Sequence, residues 1–308
     1  MEPLLSGIYI GDIDQLSLLS TFPQFYKAEQ EHGSLIRGLK KMSKTASKTT
    51  LTSKNQGVFL TLKNGLQSLV DTIETQLKDV TIQKGVSVKD LKKGKDGHYE
   101  LNLNDDESLQ ADGVILALPH PMMAELMLEL MLDKNYLKDY KDMPATTVAT
   151  VVTAFNEDAI NLADGVGFVV SRHSDYTITA CTWTHKKWPH TAPKGMALLR
   201  CYVGRIGEET VVDLSDTEIE EMVLEDLKKT LNITAKPKFS IVTRWMNAFP
   251  QYNVGHYQRM NEMNEMHEAL CKDMPGVYVT GSSCGGLGLP DCITQGKVAA
   301  EKIRAYFE

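Results

Sequence analysis

Positive charge is scarce in this chain: 33 Lys and Arg stand against 40 Asp and Glu, for a formal net charge of −7 and a pI of about 5.7. No broad cationic field exists to draw in a phosphate backbone, so nucleic acid is not an expected partner. Paired cysteines are lacking too. Cys181, Cys201, Cys271, Cys284 and Cys292 form no Cys-x-x-Cys pair, and a chain of 308 residues needs no covalent staples, so they read as free thiols. The most apolar stretch, 113–132, is broken by Pro119, Pro121, Glu125 and Glu129, which excludes a transmembrane helix there. The start, Met1-Glu2-Pro3-Leu4-Leu5-Ser6-Gly7, has no basic segment and no cleavage-like ending, and a cytosolic location is expected. Cys181, His185 and His190, spaced by Trp183, Lys186, Lys187 and Pro189, fit no usual ligand pattern, so no metal is expected. Finally, no Gly-x-Gly-x-x-Gly string occurs, so these residues offer no dinucleotide pyrophosphate cradle.

What remains is an ordinary globular composition, 42% hydrophobic and 24% charged, with length for roughly two domains. A helical pattern runs from Phe22 to Met42 and closes on Lys40-Lys41. The Ser/Thr/Lys-rich stretch Ser43 to Gln56 has no periodicity and reads as a mobile loop at a boundary. Asn64 caps a helix whose Leu66, Leu69, Val70, Ile73 and Leu77 make one stripe, which is expected to lie on a sheet. Thr81 to Val88, Tyr99 to Leu103 and Gly113 to Leu118 then read as a three-stranded meander. A Met-rich helix follows, with Met122, Met123, Met127 and Met131 at core-like spacing.

Five further strands are expected at Thr146 to Phe155, Gly167 to Ser171, Tyr176 to Trp183, Met196 to Val203 and Lys238 to Trp245, with an amphipathic helix Asp216 to Leu231 before the last. They describe an antiparallel sheet with a helix on one face. The end of the chain reads as a helix from His256 to Met274, a strand Gly276 to Thr280, a glycine-rich loop, and a helix Pro290 to Tyr306. In that loop, Gly281 to Asp291, four glycines would let backbone approach a planar ligand, and the helix start behind it would favour negative charge. An ordinary strand-to-helix turn is the alternative reading of the same residues.

Four blocks resemble one family. The ending Gly276-Val-Tyr-Val-Thr-Gly-Ser-Ser-Cys-Gly-Gly-Leu-Gly-Leu-Pro-Asp-Cys-Ile-Thr-Gln-Gly-Lys-Val-Ala-Ala is similar to the carboxy-terminal flavin-binding signature of protoporphyrinogen and coproporphyrinogen III oxidases of the HemY type. Arg244-Trp245 with Pro250-Gln251-Tyr252-x-x-Gly255-His256 resembles a second block of these enzymes. Glu2-Pro-Leu-Leu-Ser-Gly-Ile-Tyr-Ile-Gly-Asp with Phe22-Pro-Gln-Phe resembles their helical-domain segment, and Asp112-Gly-Val-Ile-Leu-Ala-Leu-Pro a flavin-domain strand. The blocks occur in family order along the whole chain.

The resemblance implies an α+β fold: an FAD/NAD(P)-binding-like partial domain plus an antiparallel β-sheet substrate domain, as in p-hydroxybenzoate hydroxylase and amine oxidases. Against the family pattern, the chain is expected to lack the amino-terminal FAD-binding segment. The implied division is 1–53 as the tail of a helical, membrane-proximal domain, 54–118 as one FAD-domain piece, 119–250 as the β-rich substrate domain and 251–308 as the other FAD-domain piece. The implied chemistry is FAD- and O2-dependent oxidation of a porphyrinogen to the porphyrin in haem biosynthesis, with FAD held weakly or not at all by this chain. Cofactor-side residues carried over are Val86, Ala117, Trp245, Gly281, Ser282, Gly288, Leu289 and Pro290, and substrate-side residues are Gly167, Phe168 and Val169. No residue is assigned a catalytic role, His256 included. Trp245 alone would read as a core aromatic. The rival readings are a catalytically silent folded remnant, self-associating without cofactor, and another amine-oxidase-like oxidase or desaturase. Location would be cytosolic, with peripheral membrane attachment as the variant.

Overall fold

The computed structural model describes residues 2–41, 60–128, 130 and 137–308. The expected loop at Ser43 to Gln56 and the position of Met131 lie outside the described residues. The chain divides into two units, residues 1–80 with 146–248 and residues 81–145 with 249–308. In chain order the strands are β1 (Val88–Lys93), β2 (Tyr99–Leu103), β3 (Ser108–Ala111), β4 (Val114–Leu116), β5 (Ala145–Asn156), β6 (Gly167–Val169), β7 (Ile178–Trp183), β8 (Met196–Val203), β9 (Phe239–Pro250) and β10 (Val277–Val279).

The first unit is built on a five-stranded sheet ordered β6-β7-β8-β5-β9. Burial alternates along β8, with Ala197, Leu199, Cys201 and Val203 buried and Leu198, Arg200 and Tyr202 between them only half-buried, as a strand with one core face requires. The core face is covered by helix Asp216–Leu231. That helix starts at a complete capping box of Ser215 and Glu218 and stops at Asn232, which takes the left-handed conformation at φ +56°. Ile219, Val223 and Leu227, four residues apart, are fully buried against Phe155, Ile178, Leu199 and Cys201. Each such side chain contributes about 1.5–3 kcal/mol. The same helix carries a buried carboxylate, Asp226, which accepts the backbone N–H groups of Thr177 (2.7 Å) and Ile178 (3.0 Å) and so fixes where β7 begins.

Two expectations in this unit need correction. The first long helix runs only from Pro23 to His32, because Gly33 takes φ +61° and ends it before a separate turn of helix begins. Helix Gln67–Gln76 does form, but none of its residues is buried, and Leu66, Val70, Ile73 and Leu77 of the expected stripe are exposed.

In the second unit β1, β2 and β3 make the antiparallel meander, while β4 pairs in parallel with β10 as a separate two-stranded sheet. The meander therefore differs from the expected one. Residues 81–87 are irregular around Gly85 at φ +76°, and the third strand is the polar Ser108–Ala111. Val114-Ile115-Leu116 is displaced into the parallel pair, for which Gly113 leaves room, since a Cβ there would sit 3.1 Å from the Gly276 carbonyl oxygen. Helix His120–Met127 turns Met123, Ala124 and Met127 into a core with Leu91, Tyr99, Val114, Leu116 and Val277, while Met122 stays exposed. The 120–127 helix thus belongs to this unit and not with the five-stranded sheet. None of the described helices is long and apolar enough to cross a membrane.

Candidate functional site

Because β4 and β10 run parallel, with Thr280 N–H donating to Leu116 O at 2.9 Å, their carboxyl ends deliver Ala117-Leu118 and Gly281-Ser282 to one place. A Cβ on Gly281 would lie 3.8 Å from the Leu118 carbonyl oxygen. The crevice at the carboxyl ends of parallel strands is where folds of this kind take a ligand. The loop beyond is a turn of helix at Ser282–Gly285, followed by Gly286-Leu287-Gly288 and the long helix Leu289–Phe307 with Pro290 in its first turn.

The glycines of this loop do not share one reason. Gly281 at φ +130° and Gly286 at φ +154° hold backbone that L side chains rarely adopt. Gly288 has φ −68° and ψ 142°, open to any residue, but a Cβ there would meet Asp291 Oδ2 at 2.6 Å. A Cβ on Gly286 would likewise meet Asp291 Cβ at 2.8 Å. At these two positions absent side chains make room for the Asp291 carboxylate, which folds back over the loop. Gly288→Val is therefore expected to cost about 1 kcal/mol by pushing Asp291 aside, and to be nearly silent in an Asp291→Ala background. Urea denaturation of the four proteins of that cycle measures the coupling; equal losses in both backgrounds would separate Gly288 from Asp291.

Behind the loop stands a buried polar frame. His120 is 1% exposed, with Nε2 2.8 Å from the Met143 carbonyl oxygen and Nδ1 3.0 Å from Ser283 Oγ. A carbonyl only accepts, so Nε2 carries the proton and Nδ1 accepts from the serine. Burial lowers the pKa of His120, opposed by that backbone bond and aided by Arg259. Tyr252 OH donates to Ser282 O at 2.6 Å, and its ring stacks on His256 at 4.1 Å. Burial and then Arg259 lower the pKa of His256 to about 4. The Cys284 thiol is pushed up to about 11, mainly by burial, which makes it a poor nucleophile. Around this frame Asn253 Oδ1, His256 Nδ1, Thr280 Oγ1 and both amide atoms of Gln295 are buried without partners. Gln295 reaches the loop itself, since a Cβ on Gly285 would lie 3.4 Å from its amide carbon. Buried polar atoms left open beside a strand-to-helix loop fit a ligand with a polar edge, as a flavin ring has.

The carried-over residues fall into separate groups. Ala117, Gly281, Ser282, Gly288, Leu289 and Pro290 gather on the strand ends, loop and helix start just described. Val86 is in the same unit, half-buried in the irregular segment ahead of β1 and outside that loop. Trp245, Gly167, Phe168 and Val169 belong to the five-stranded sheet of the other unit. Trp245 is no core aromatic: it is 46% exposed on β9, its indole N–H donating to Thr150 Oγ1 at 3.3 Å. Its neighbour Arg244 points the other way and donates to the Val212 carbonyl at 2.8 Å. Phe168 packs onto the core beside Ile178 and Cys181, whereas Val169 is exposed, so the three substrate-side residues do not line one surface. Sequence reasoning missed His120, Gln295 and Arg200. A histidine between Pro119 and Pro121 was the visible signal for the first, whereas nothing local marks the other two.

The strand-end loop and the buried open polar atoms beside it make a candidate ligand site, and comparison with known proteins names the class of the chain. Residues 1–304 match the family described as flavin containing amine oxidoreductase, and the chain belongs to it. It is 51% identical over 307 residues to coproporphyrinogen III oxidase of Bacillus subtilis (strain 168), covering 99% of this chain and 64% of that protein. Against coproporphyrinogen III oxidase of Staphylococcus aureus (strain NCTC 8325 / PS 47) the identity is 42% over 310 residues, with 99% and 65% covered. The chain thus spans somewhat under two thirds of the length of these curated relatives. A crystal structure from Exiguobacterium sp. 255-15, assigned as a protoporphyrinogen oxidase, superposes with a TM-score of 0.85 at 36% identity, covering 99% of this chain and 62% of that one.

Proposed function

We propose that this chain supplies the flavin-ring side and the substrate face of an FAD-dependent oxidase that converts a porphyrinogen to the porphyrin, coproporphyrinogen III before protoporphyrinogen IX. The observation that carries the reading is the 51% identity to a coproporphyrinogen III oxidase, which extends over 307 residues and so takes in both units. A bound FAD would supply the hydride-accepting chemistry for each methylene bridge of the macrocycle, with O2 as final acceptor reduced to H2O2. The chain's own part is positioning. Ala117, Gly281 and Ser282 offer backbone at the strand ends, and the Leu289-Pro290 helix start places a positive dipole end near the site of developing negative charge. Asn253, Thr280 and Gln295 hold open polar atoms for the ring edge. The face of the five-stranded sheet turned away from helix Asp216–Leu231 offers the aromatic side chains of Tyr202 and Trp245. The cytosol and O2 as acceptor belong to the same reading, as does the division into a flavin-side unit and a substrate-side unit.

With no Gly-x-Gly-x-x-Gly in its 308 residues, the chain alone is expected to retain far less than one FAD per chain through gel filtration. Co-expressed with the part of the Bacillus subtilis relative that it does not span, it is expected to hold FAD and to turn coproporphyrinogen III into fluorescent coproporphyrin III with release of peroxide. An FAD-loaded complex that oxidises neither porphyrinogen would overturn the substrate assignment. Stoichiometric FAD on the chain alone would overturn the importance given to the glycine fingerprint.

A further inference from the structure

The face of the five-stranded sheet turned away from helix Asp216–Leu231 carries a charge that no carboxylate among the described residues balances. Arg200 sits mid-strand on β8, opposite Val152 on β5 and Thr182 on β7, so its cross-strand neighbours on this face are uncharged. Its Nε is shut off from water and has no hydrogen-bond partner. Among the described residues no carboxylate pairs with it; its one close contact of note is the Tyr202 ring, 5.4 Å from Cζ to centroid. A buried donor left unmade costs about 1–3 kcal/mol.

The surroundings narrow the anion. Tyr202 faces Thr150 across the sheet, and Thr150 accepts the Trp245 indole N–H, so the same face carries two half-exposed aromatic side chains beside the guanidinium. A planar N–H fork at the edge of an aromatic floor suits a carboxylate carried on a flat ring system, since guanidinium and carboxylate match as two parallel hydrogen bonds. We infer that Arg200 forms a carboxylate-binding subsite on this sheet face, taking one acidic side arm of a tetrapyrrole. The identity of the ring rests on the porphyrinogen reading above; the carboxylate does not. Coproporphyrinogen III carries propionate arms around its ring, so one arm on Arg200 would fix how the macrocycle lies on the face.

The test compares acids with their uncharged counterparts on the purified 308-residue chain, by fluorescence titration. One pair is coproporphyrin III and its tetramethyl ester; the other, unrelated to tetrapyrroles, is 1-pyrenebutyrate and 1-pyrenebutanol. The wild-type chain is expected to bind each acid about tenfold more tightly than its partner, the gap of one charge-assisted hydrogen-bonded pair. Arg200→Met, which keeps much of the stem, is expected to close both gaps while leaving the ester and alcohol affinities and the melting curve in place. Arg200→Lys is expected to keep part of the gap. Acid preference in the pyrene pair alone, lost in Arg200→Met, would uphold the subsite and sink the tetrapyrrole reading. Tight binding of coproporphyrin III and its ester alike, with no acid preference in the pyrene pair, would do the reverse. A wild-type chain without acid preference in either pair, or an Arg200→Met chain that keeps it, overturns the inference; the wild-type comparison stands even if the variant fails to fold.

Discussion

Gly167→Ala is expected to destabilise the five-stranded unit by more than about 3 kcal/mol, a large fraction of the stability of an ordinary domain. Gly167 has φ +148°, and a Cβ there would run into the Cys181 carbonyl oxygen and come within 3.0 Å of Thr182 Cα. Both neighbours are backbone of β7, the strand with which β6 pairs through Gly167 against Thr182 and Phe168 against Cys181. Neither can yield without opening the ladder. Once β6 lifts, Phe168 leaves the core it shares with Ile178 and Cys181, so the loss combines backbone strain with exposed apolar surface. Urea denaturation followed by circular dichroism measures it. The comparison also bears on function: a glycine that merely lines a ligand surface would, as alanine, shift affinity and leave the midpoint alone. A Gly167→Ala chain with a stability within about 1 kcal/mol of wild type would contradict the pairing of β6 with β7.

What could be read from the sequence divides along the same physical line, local determinants against distant ones. Helix Asp216–Leu231 and strand Met196–Val203 were legible to the residue, because an amphipathic helical stripe and a short apolar run are written in consecutive positions. Helix Gln67–Gln76 was legible as a helix, but its stripe of Leu66, Val70, Ile73 and Leu77 says only that one face is apolar, not that anything covers it. The meander failed at its third strand because Val114-Ile115-Leu116 is an unbroken apolar triplet suited to a parallel neighbour, and that neighbour, Val277–Val279, lies far along the chain. Ser108–Ala111 replaced it as a strand held by pairing rather than by its own pattern. The loop at Gly281 to Asp291 could be found from its glycines and its family likeness. That Gly286 and Gly288 serve the Asp291 side chain could not, since only the fold brings a carboxylate back over its own loop. Arg200 was equally hidden: one arginine in an alternating strand looks like a solvated residue until both cross-strand neighbours prove uncharged.

Acidification is expected to remove about 3 kcal/mol of stability through His256 alone, in a window set by burial. The ring is 3% exposed and stacked on Tyr252, Nδ1 has no partner, and the Arg259 charge lies close by. In the folded chain its pKa falls from 6.5 to about 4, so the native state holds the ring neutral where the unfolded chain protonates it. Stability therefore declines as pH falls below about 6.5, continues to decline to about 4, and loses nothing further through this group below that. His120, also buried and also lowered, adds to the decline in the same direction, and carboxylates add their own losses at the acid end. His256→Phe isolates the group, because it keeps an aromatic ring against Tyr252 while abolishing the titration. The difference in unfolding free energy between wild type and the Phe variant is expected to be flat near neutrality and to move in the variant's favour by about 3 kcal/mol on the way to pH 4. If the two proteins lose stability in parallel across that interval, His256 is protonated in the native state and the frame behind the loop carries a charge that its burial should forbid.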